Sequence, residues 1–412
     1  MDKPKIRPVE AFPVEHDGQT FVCLRDPTGL ASSPILLGMG AYFVATLFDG
    51  HNSVRDVEAA FAGRFGEVLP SQQLEELIAR LDEVGFLESP AMAERRQRVE
   101  QEFASAPQRA AAHAGLCYER DPVRLRAEIE GFFRLPEGPG SLPAAAADGR
   151  LAAPRGLIAP HIDPRRGAAA YAHAYGELAG RQPPELVVVL GTAHCGGGPE
   201  LFAATRKDYA TPLGAVMTDR PLVERLAKRY SGGDLFAQEL LHRHEHSIEF
   251  QAVFLAWALG VGNFRTVPIL VGSFYEMVGR GRQPAEDPRV GAFIEALRAE
   301  LAAERRRVLV VAGVDFAHVG RKFGDPFRVD EAQAEKVRRD DRELIAHIER
   351  CDPAGFFAAV ARDGDSRRIC GLAPIYVALE LLAGCRGRLL KHAIALELQT
   401  GSAVSFASIV ID

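Results

Sequence analysis

Residues 306–315, RRVLVVAGVD, run from charge into a short apolar, β-branched core and out onto an acidic residue. Three other stretches share this character: ELVVVLGT (185–192), FRTVPILVGS (264–273) and RLLKHAIAL (388–396). Runs this short and this apolar predict strands buried on both faces, as in parallel or mixed sheets. Between them lie helical patterns, SIEFQAVFLAWAL (247–259), DPRVGAFIEALRAEL (287–301) and GLAPIYVALELLAG (371–384). The alternation predicts a layered α/β sandwich over residues 151–412. In open α/β sheets ligands gather beyond the carboxyl ends of strands, so the residues after each apolar run carry the most information.

Upstream the pattern changes. PVEHDGQTFVCLRDPTG (13–29) predicts short strands with a turn at Asp26-Pro27-Thr28-Gly29. An apolar helical stretch is expected from Leu36 to Phe48, closed by Asp49-Gly50. Ser53 is placed to cap a helix with Val54, Val57, Phe61 and Phe65 on one face. A third helix, SQQLEELIARLDEV, carries Leu74, Leu77, Ile78, Leu81 and Val84 in register and stops at Gly85. Small strands with three short helices predict a winged-helix-like α+β module over residues 1–90. Residues 91–150 read as a connector. It begins with the charged helix AERRQRVEQEF (93–103) and ends in the linker LPEGPGSLPAAAADG (135–149), where the domain boundary is expected.

Composition narrows the function classes. A formal net charge of −6 and a pI near 6.1 give no basic footprint, so nucleic acid is not an expected partner. No run of about 18 apolar residues predicts a membrane span, and the opening residues lack the apolar core of a secretory signal. The 6 cysteines are scattered and do not read as a disulfide framework; they fit a reducing compartment, and a cytoplasmic location is expected.

Four polar clusters follow apolar runs or open helices: Ala159-Pro160-His161-Ile162-Asp163-Pro164, Gly191-Thr192-Ala193-His194, Asp315-Phe316-Ala317-His318 and Cys370-Gly371. A single histidine after a strand is usually structural. Three of them, in one α/β domain, can converge on one sheet edge as a metal site. Cys23, Cys117, Cys351 and Cys385 read as packing residues, and Cys195 is an alternative ligand beside His194. Cys370 differs by opening a helix, where the dipole favours a thiolate. His244-Glu245-His246-Ser247-Ile248-Glu249 also enters an apolar helix. It reads either as a helix cap or as Glu245 and His246 facing a shared pocket; its histidine spacing is not that of H-E-x-x-H. No P-loop, G-x-G-x-x-G or G-x-S-x-G motif is present.

In this order, Ala159-Pro160-His161, Gly191-Thr192-Ala193-His194, Glu245-His246-Ser247-Ile248-Glu249, Asp315-Phe316-Ala317-His318 and Cys370-Gly371 resemble the Memo family over nearly all of residues 150–412. The extended form Ala159 to Pro164 looks most like the branch called AmmeMemoRadiSam system protein B. That resemblance implies a radical S-adenosylmethionine enzyme and an AMMECR1-like protein as partners. It implies a fold similar to class III extradiol dioxygenases, which use non-haem Fe(II). It further implies His161, His194 and Cys370 as metal ligands, with His318 in the acid/base position and Asp315 beside it. A thiolate stands where those dioxygenases have a carboxylate, which softens the site and puts ring cleavage in doubt. The resemblance supports iron, Fe(II), or copper, Cu, as the metal. Chemically, Asp315 can fix the His318 tautomer or bind substrate, and Asp163 can orient a ligand histidine. The N-terminal region, Met39 through Leu87, is similar in pattern to PqqD-like winged helices, which take a peptide as an added strand.

Three functions compete on this reading: a metal-dependent redox enzyme working with a radical S-adenosylmethionine partner on a peptide or small molecule; a metal- or peptide-binding scaffold without turnover; and a zinc-type hydrolase.

Overall fold

Asp17 and Gly18, both at positive φ, close a tight hairpin between β1 (Glu10–His16) and β2 (Gln19–Arg25). The structure, a computed structural model, describes residues 1–143, 152–196 and 199–412. It divides into two units, Met1–Ser105 and Ala106–Asp412. In the first, β3 (Ile35–Gly38) pairs antiparallel with β2. The stretch from Leu36 therefore begins as strand, and only α1 (Met39–Thr46) is helical. The reason is a local period of two: Ile35 and Leu37 are buried while Leu36 faces out. Ser53 caps α2 (Val54–Phe65) in a capping box with Asp56. Gly85, at φ +97°, ends α3 (Ser71–Val84). α4 (Pro90–Ser105) follows. Leu24, Leu37, Val57, Leu74, Leu81 and Phe86 lie in this unit's core.

The second unit opens with β4 (Gln108–Arg109) and α5 (Pro122–Phe133). The expected connector is thus part of this unit from residue 106 onward. Leu125, Ile129 and Phe133 bury one face of α5 in a core shared with Tyr171 and Phe254. Their period was hidden among Arg124, Arg126, Glu128 and Glu130 on the other face. Of the predicted linker 135–149, residues 144–149 lie outside the described residues.

The remaining elements are, in order, β5 (Gly156–Ala159), α6 (Ala168–Gly176), β6 (Leu186–Thr192), β7 (Phe202–Ala204), β8 (Asp208–Thr211), β9 (Gly214–Val216), α7 (Arg220–Arg229) and α8 (His246–Leu259). Then come β10 (Arg265–Val271), α9 (Tyr275–Arg280), α10 (Pro288–Ala302), β11 (Val308–Gly313), β12 (His318–Gly320) and α11 (Glu331–Glu349). The chain closes with α12 (Pro353–Ala361), α13 (Leu372–Leu381), β13 (Gly387–Glu397) and β14 (Ser402–Ile411). The main sheet is mixed. β5, β11, β6 and β10 run parallel as its centre, and β7, β12, β13 and β14 join antiparallel.

Alternate residues of the parallel strands feed two cores. Val187, Val189, Leu309 and Val311 face α5, α6 and α8. Val188, Leu190, Val310 and Ala312 face the layer containing α10, α12 and α13. This is the expected layered α/β sandwich, with helices on both faces of a mixed sheet. One predicted strand differs: β13 is half-buried rather than buried on both faces, because among the described residues it is an edge strand paired with β14 alone. β14 is buried throughout yet was not foreseen, since serines interrupt its apolar run. Ser408 donates to the Ala170 carbonyl at 2.6 Å, and the Ser405 hydroxyl accepts the Ala317 N–H at 2.9 Å. Among the described residues no helix is long and apolar enough to cross a membrane.

Candidate metal centre

Three neighbouring parallel strands stop level with one another. Gly313 of β11 pairs with Ala159 of β5 on one side and Gly191 of β6 on the other. The chain then places His161 after β5, Asp315 after β11 and His194 after β6, all beyond the carboxyl edge. Cys370 arrives from the turn before α13, held from both sides. The Gly371 N–H donates to the Asp315 carbonyl at 3.0 Å, and the Thr192 hydroxyl donates to the Cys370 carbonyl at 3.1 Å.

Cys370 Sγ lies 3.3 Å from His161 Nε2, and the His161 and His194 rings are 4.8 Å apart at their centroids. One donor atom from each of His161, His194 and Cys370 falls within a common 4.8 Å. Each ring has its other nitrogen engaged. His161 Nδ1 meets the Gly313 carbonyl at 3.0 Å, and His194 Nδ1 meets Glu245 Oε1 at 3.0 Å. Metal-binding histidines have this arrangement, with Nδ1–H on a carbonyl or carboxylate and Nε2 left for the ion. Ligands about 2.0–2.3 Å from a tetrahedral ion stand roughly 3.3–3.7 Å apart, so the His161–Cys370 spacing fits a shared metal.

α8 supplies the supporting layer by close approach. A Cβ on Gly313 would stand 2.6 Å from both the Ser247 carbonyl oxygen and Gln251 Nε2. One on Gly191 would stand 2.5 Å from Ser247 Oγ. Both strands must therefore be bare where the helix starts. Glu245 is the N-cap of that helix and also the partner of His194, so one carboxylate serves the helix start and the donor cluster. Its carboxylate accepts the Ser247 N–H and the His194 N–H, each at 3.0 Å.

Electrostatics follow from burial and these contacts. Burial drives His161 well below the usual imidazole range, helped by His194. Burial also acts to lower His194, but the Glu245 carboxylate and the Cys370 contact outweigh it and leave the ring well above its ordinary value. Burial pushes Asp315 up to about 6, against the pull of His318. Cys370 departs from expectation: burial raises its thiol pKa, outweighing the lowering by its contact with His194. The metal-free sulfur is thus held as thiol, and an incoming cation must displace its proton.

The other expected residues sit as follows. His246 stacks on His194 at 4.8 Å between centroids and, with Glu245, forms a second donor group around that ring. His318 stands at the start of β12, outside the three-donor cluster, with Nδ1 against the Phe316 and Arg368 carbonyls at 3.1 and 3.2 Å. Those carbonyls, not Asp315, face its Nδ1. Asp315 Oδ1 instead accepts the His161 and Ile162 N–H groups at 3.0 and 3.2 Å. Asp163 caps its own turn through the Arg165 N–H at 2.9 Å, and the Gly313 carbonyl has the orienting place at His161. Cys195 does not join the cluster. Beside Cys370 opens a cavity of about 300 Å³ lined by Thr192, Val271, Phe274, Arg368 and Leu372.

Sequence reasoning missed the buried group beneath this site. Glu249 of α8 binds Arg109, the His113 N–H at 2.9 Å and the Tyr118 hydroxyl. Glu249 was visible as an acid inside an otherwise apolar helix, which demands a buried cation or donors; its partners lie far away in sequence.

The family model for Memo-like proteins matches residues 109–410. The chain belongs to the Memo family. A MEMO1 family protein of Aquifex aeolicus is 28% identical over 99% of both chains, so its similarity extends through the N-terminal unit. One from Methanopyrus kandleri is 35% identical over 69% of this chain and 92% of its own. Another from Thermus thermophilus is 28% identical over 87% of this chain and 99% of its own. The start of the Memo match at Arg109 coincides with the first buried residue of the second unit rather than with the linker.

Proposed function

We propose that this Memo family member is a redox protein holding one non-haem iron or copper ion on His161, His194 and Cys370. It would act on a peptide or small molecule together with a radical S-adenosylmethionine enzyme and an AMMECR1-like protein. The observation that carries this reading is the donor set: two imidazoles and a thiol sulfur at one strand edge, with both Nδ1 atoms already occupied. Support for the partners is the likeness of Ala159 to Pro164 to AmmeMemoRadiSam system protein B.

When bound, iron or copper supplies open coordination positions and electron transfer. The chain's own residues do the rest. Glu245 and the Gly313 carbonyl hold the two rings in place. His318, its Nδ1 turned to carbonyls, keeps Nε2 for taking or giving a proton. Asp315, lifted to about 6, can change charge near neutrality beside it. The cavity along Phe274 and Leu372 receives an apolar group, with Thr192 and Arg368 as its polar fittings. For the N-terminal unit, a three-stranded antiparallel sheet, its outer strands β1 and β3 unpaired on their far sides among the described residues, suits the strand addition of PqqD-like modules.

The test is metal analysis and oxygen uptake. Anaerobically purified protein is expected to carry stoichiometric iron or copper and to consume O₂ with candidate peptides or small molecules. Zinc as the bound metal, or unchanged metal content in Cys370→Ser, would overturn the reading.

A further inference from the structure

Arg109 is fully buried and lies far in sequence from every residue of the metal centre. Its backbone is fixed by β4, which pairs parallel with β8 and sets Arg109 opposite Tyr209. The guanidinium then reaches into the turn ahead of α8. Nε donates to the His242 carbonyl at 2.8 Å and Nη2 to the Glu245 carbonyl at 2.8 Å. Nη1 donates to the Ala110 carbonyl at 2.7 Å and to the Glu249 carboxylate. The Tyr209 ring lies 5.1 Å beneath the guanidinium carbon, and its hydroxyl meets His242 Nδ1 at 2.7 Å.

One planar fork therefore grips both ends of the short turn His242–Glu245 and the helix that follows it. The residue at the end of that turn is Glu245, whose carboxylate holds His194 at Nδ1 and at its backbone N–H. A lysine could match the charge of Arg109 but not four separate acceptors in one plane.

We infer that Arg109 is a positioning residue for the metal centre, acting through Glu245 on the His194 ring. The inference rests on the metal-centre reading above. It assigns a site role to the segment before α5, which touches none of the three donor residues in the bonds described. Loss of such outer partners costs about 10–100-fold in metal affinity.

Co(II) serves as the probe, because its thiolate charge-transfer and ligand-field bands report on geometry as well as affinity. Arg109→Lys is expected to weaken Co(II) binding by about 10–100-fold and to shift those bands. Glu245→Gln should do likewise, and the double variant should be no weaker than Glu245→Gln alone, because both changes act on one route. Multiplying effects would overturn the inference. So would a lowered Tm with Co(II) affinity unchanged, which is what a merely structural arginine gives. Phe293→Leu, in the core away from the site, is the comparison and should lower Tm without changing affinity. If Arg109→Lys does not fold, Glu249→Gln replaces it. A weakening of about threefold or more, the lower end of a hydrogen bond's net worth, supports the inference and an unchanged affinity overturns it. Should the wild-type chain bind no Co(II), the metal-centre reading fails by itself. The positioning role is then read from the His194 ring nitrogen shifts in metal-free protein, which Arg109→Lys must move and Phe293→Leu must not.

Discussion

Cys370 shows how two rules of thumb compete at a single atom. Burial disfavours the thiolate, the neighbouring His194 favours it, and here burial prevails. Metal binding should therefore release a proton at neutral pH and strengthen as pH rises. Cys370→Ser should lower iron or copper affinity by more than about 100-fold, beyond the cost of losing an outer partner, as measured by competition titration. Cys385→Ser, buried past the end of α13, should leave affinity unchanged. His318→Ala should keep the metal and lose turnover, which would separate a proton-handling group from a ligand.

Glu249 makes a second prediction at this scale. Burial alone would raise its pKa, but His113, Arg109 and Tyr118 hold it down at about 2. A carboxylate depressed in the folded state stabilises above its unfolded pKa of about 4.3 and loses that contribution as pH falls through 2. Urea unfolding should show stability declining from near pH 4.5 downward, by on the order of 3 kcal/mol in total. Glu249→Gln should remove much of that slope while lowering stability at pH 7. The histidines and cysteine of the site were legible in the sequence because each directly follows an apolar run or opens a helix. The orienting partner of His161 was not, because it is a backbone carbonyl and any residue has one.

At the scale of elements, the parallel strands and the long apolar helices were readable because their periods are clean. β14 and α5 were not. Buried serines broke one pattern and a charged outer face masked the other. The packing of α8 on bare strand ends yields a sharp test. Gly313→Ala places a methyl against the Ser247 carbonyl and Gln251, so α8 must shift. Stability should fall by about 1–3 kcal/mol, the usual cost of overpacking. Metal affinity should fall with it, because the carbonyl of that same residue holds His161. A chemical denaturation curve and a metal titration on the same preparation measure both.

For the whole molecule, the position of the boundary matters more than the linker suggested. A chain starting at Ala106 is expected to unfold cooperatively and to bind metal like the full protein. A chain starting at residue 152 loses Leu125, Ile129 and Phe133, each worth about 1.5–3 kcal/mol of burial. It also leaves Glu249 as a buried charge without Arg109. Against a net stability of about 5–15 kcal/mol, that second chain should be insoluble or molten; cooperative thermal unfolding of it would contradict the division seen here.

The order of strands sets when the donor cluster can close. β14 follows β5, β11 and β12 in the chain, yet it lies inside the main sheet, between β13 and the ends of β5 and β12. His161 and Asp315 sit beside strands that β14 must flank, and the Ser405 backbone carbonyl and hydroxyl receive the Phe316 and Ala317 N–H groups. Until β14 is in place, the turn that carries Asp315 lacks both acceptors, so the donor cluster is complete only when the sheet is. Any ion it holds would then bind a finished sheet rather than direct the sheet's formation.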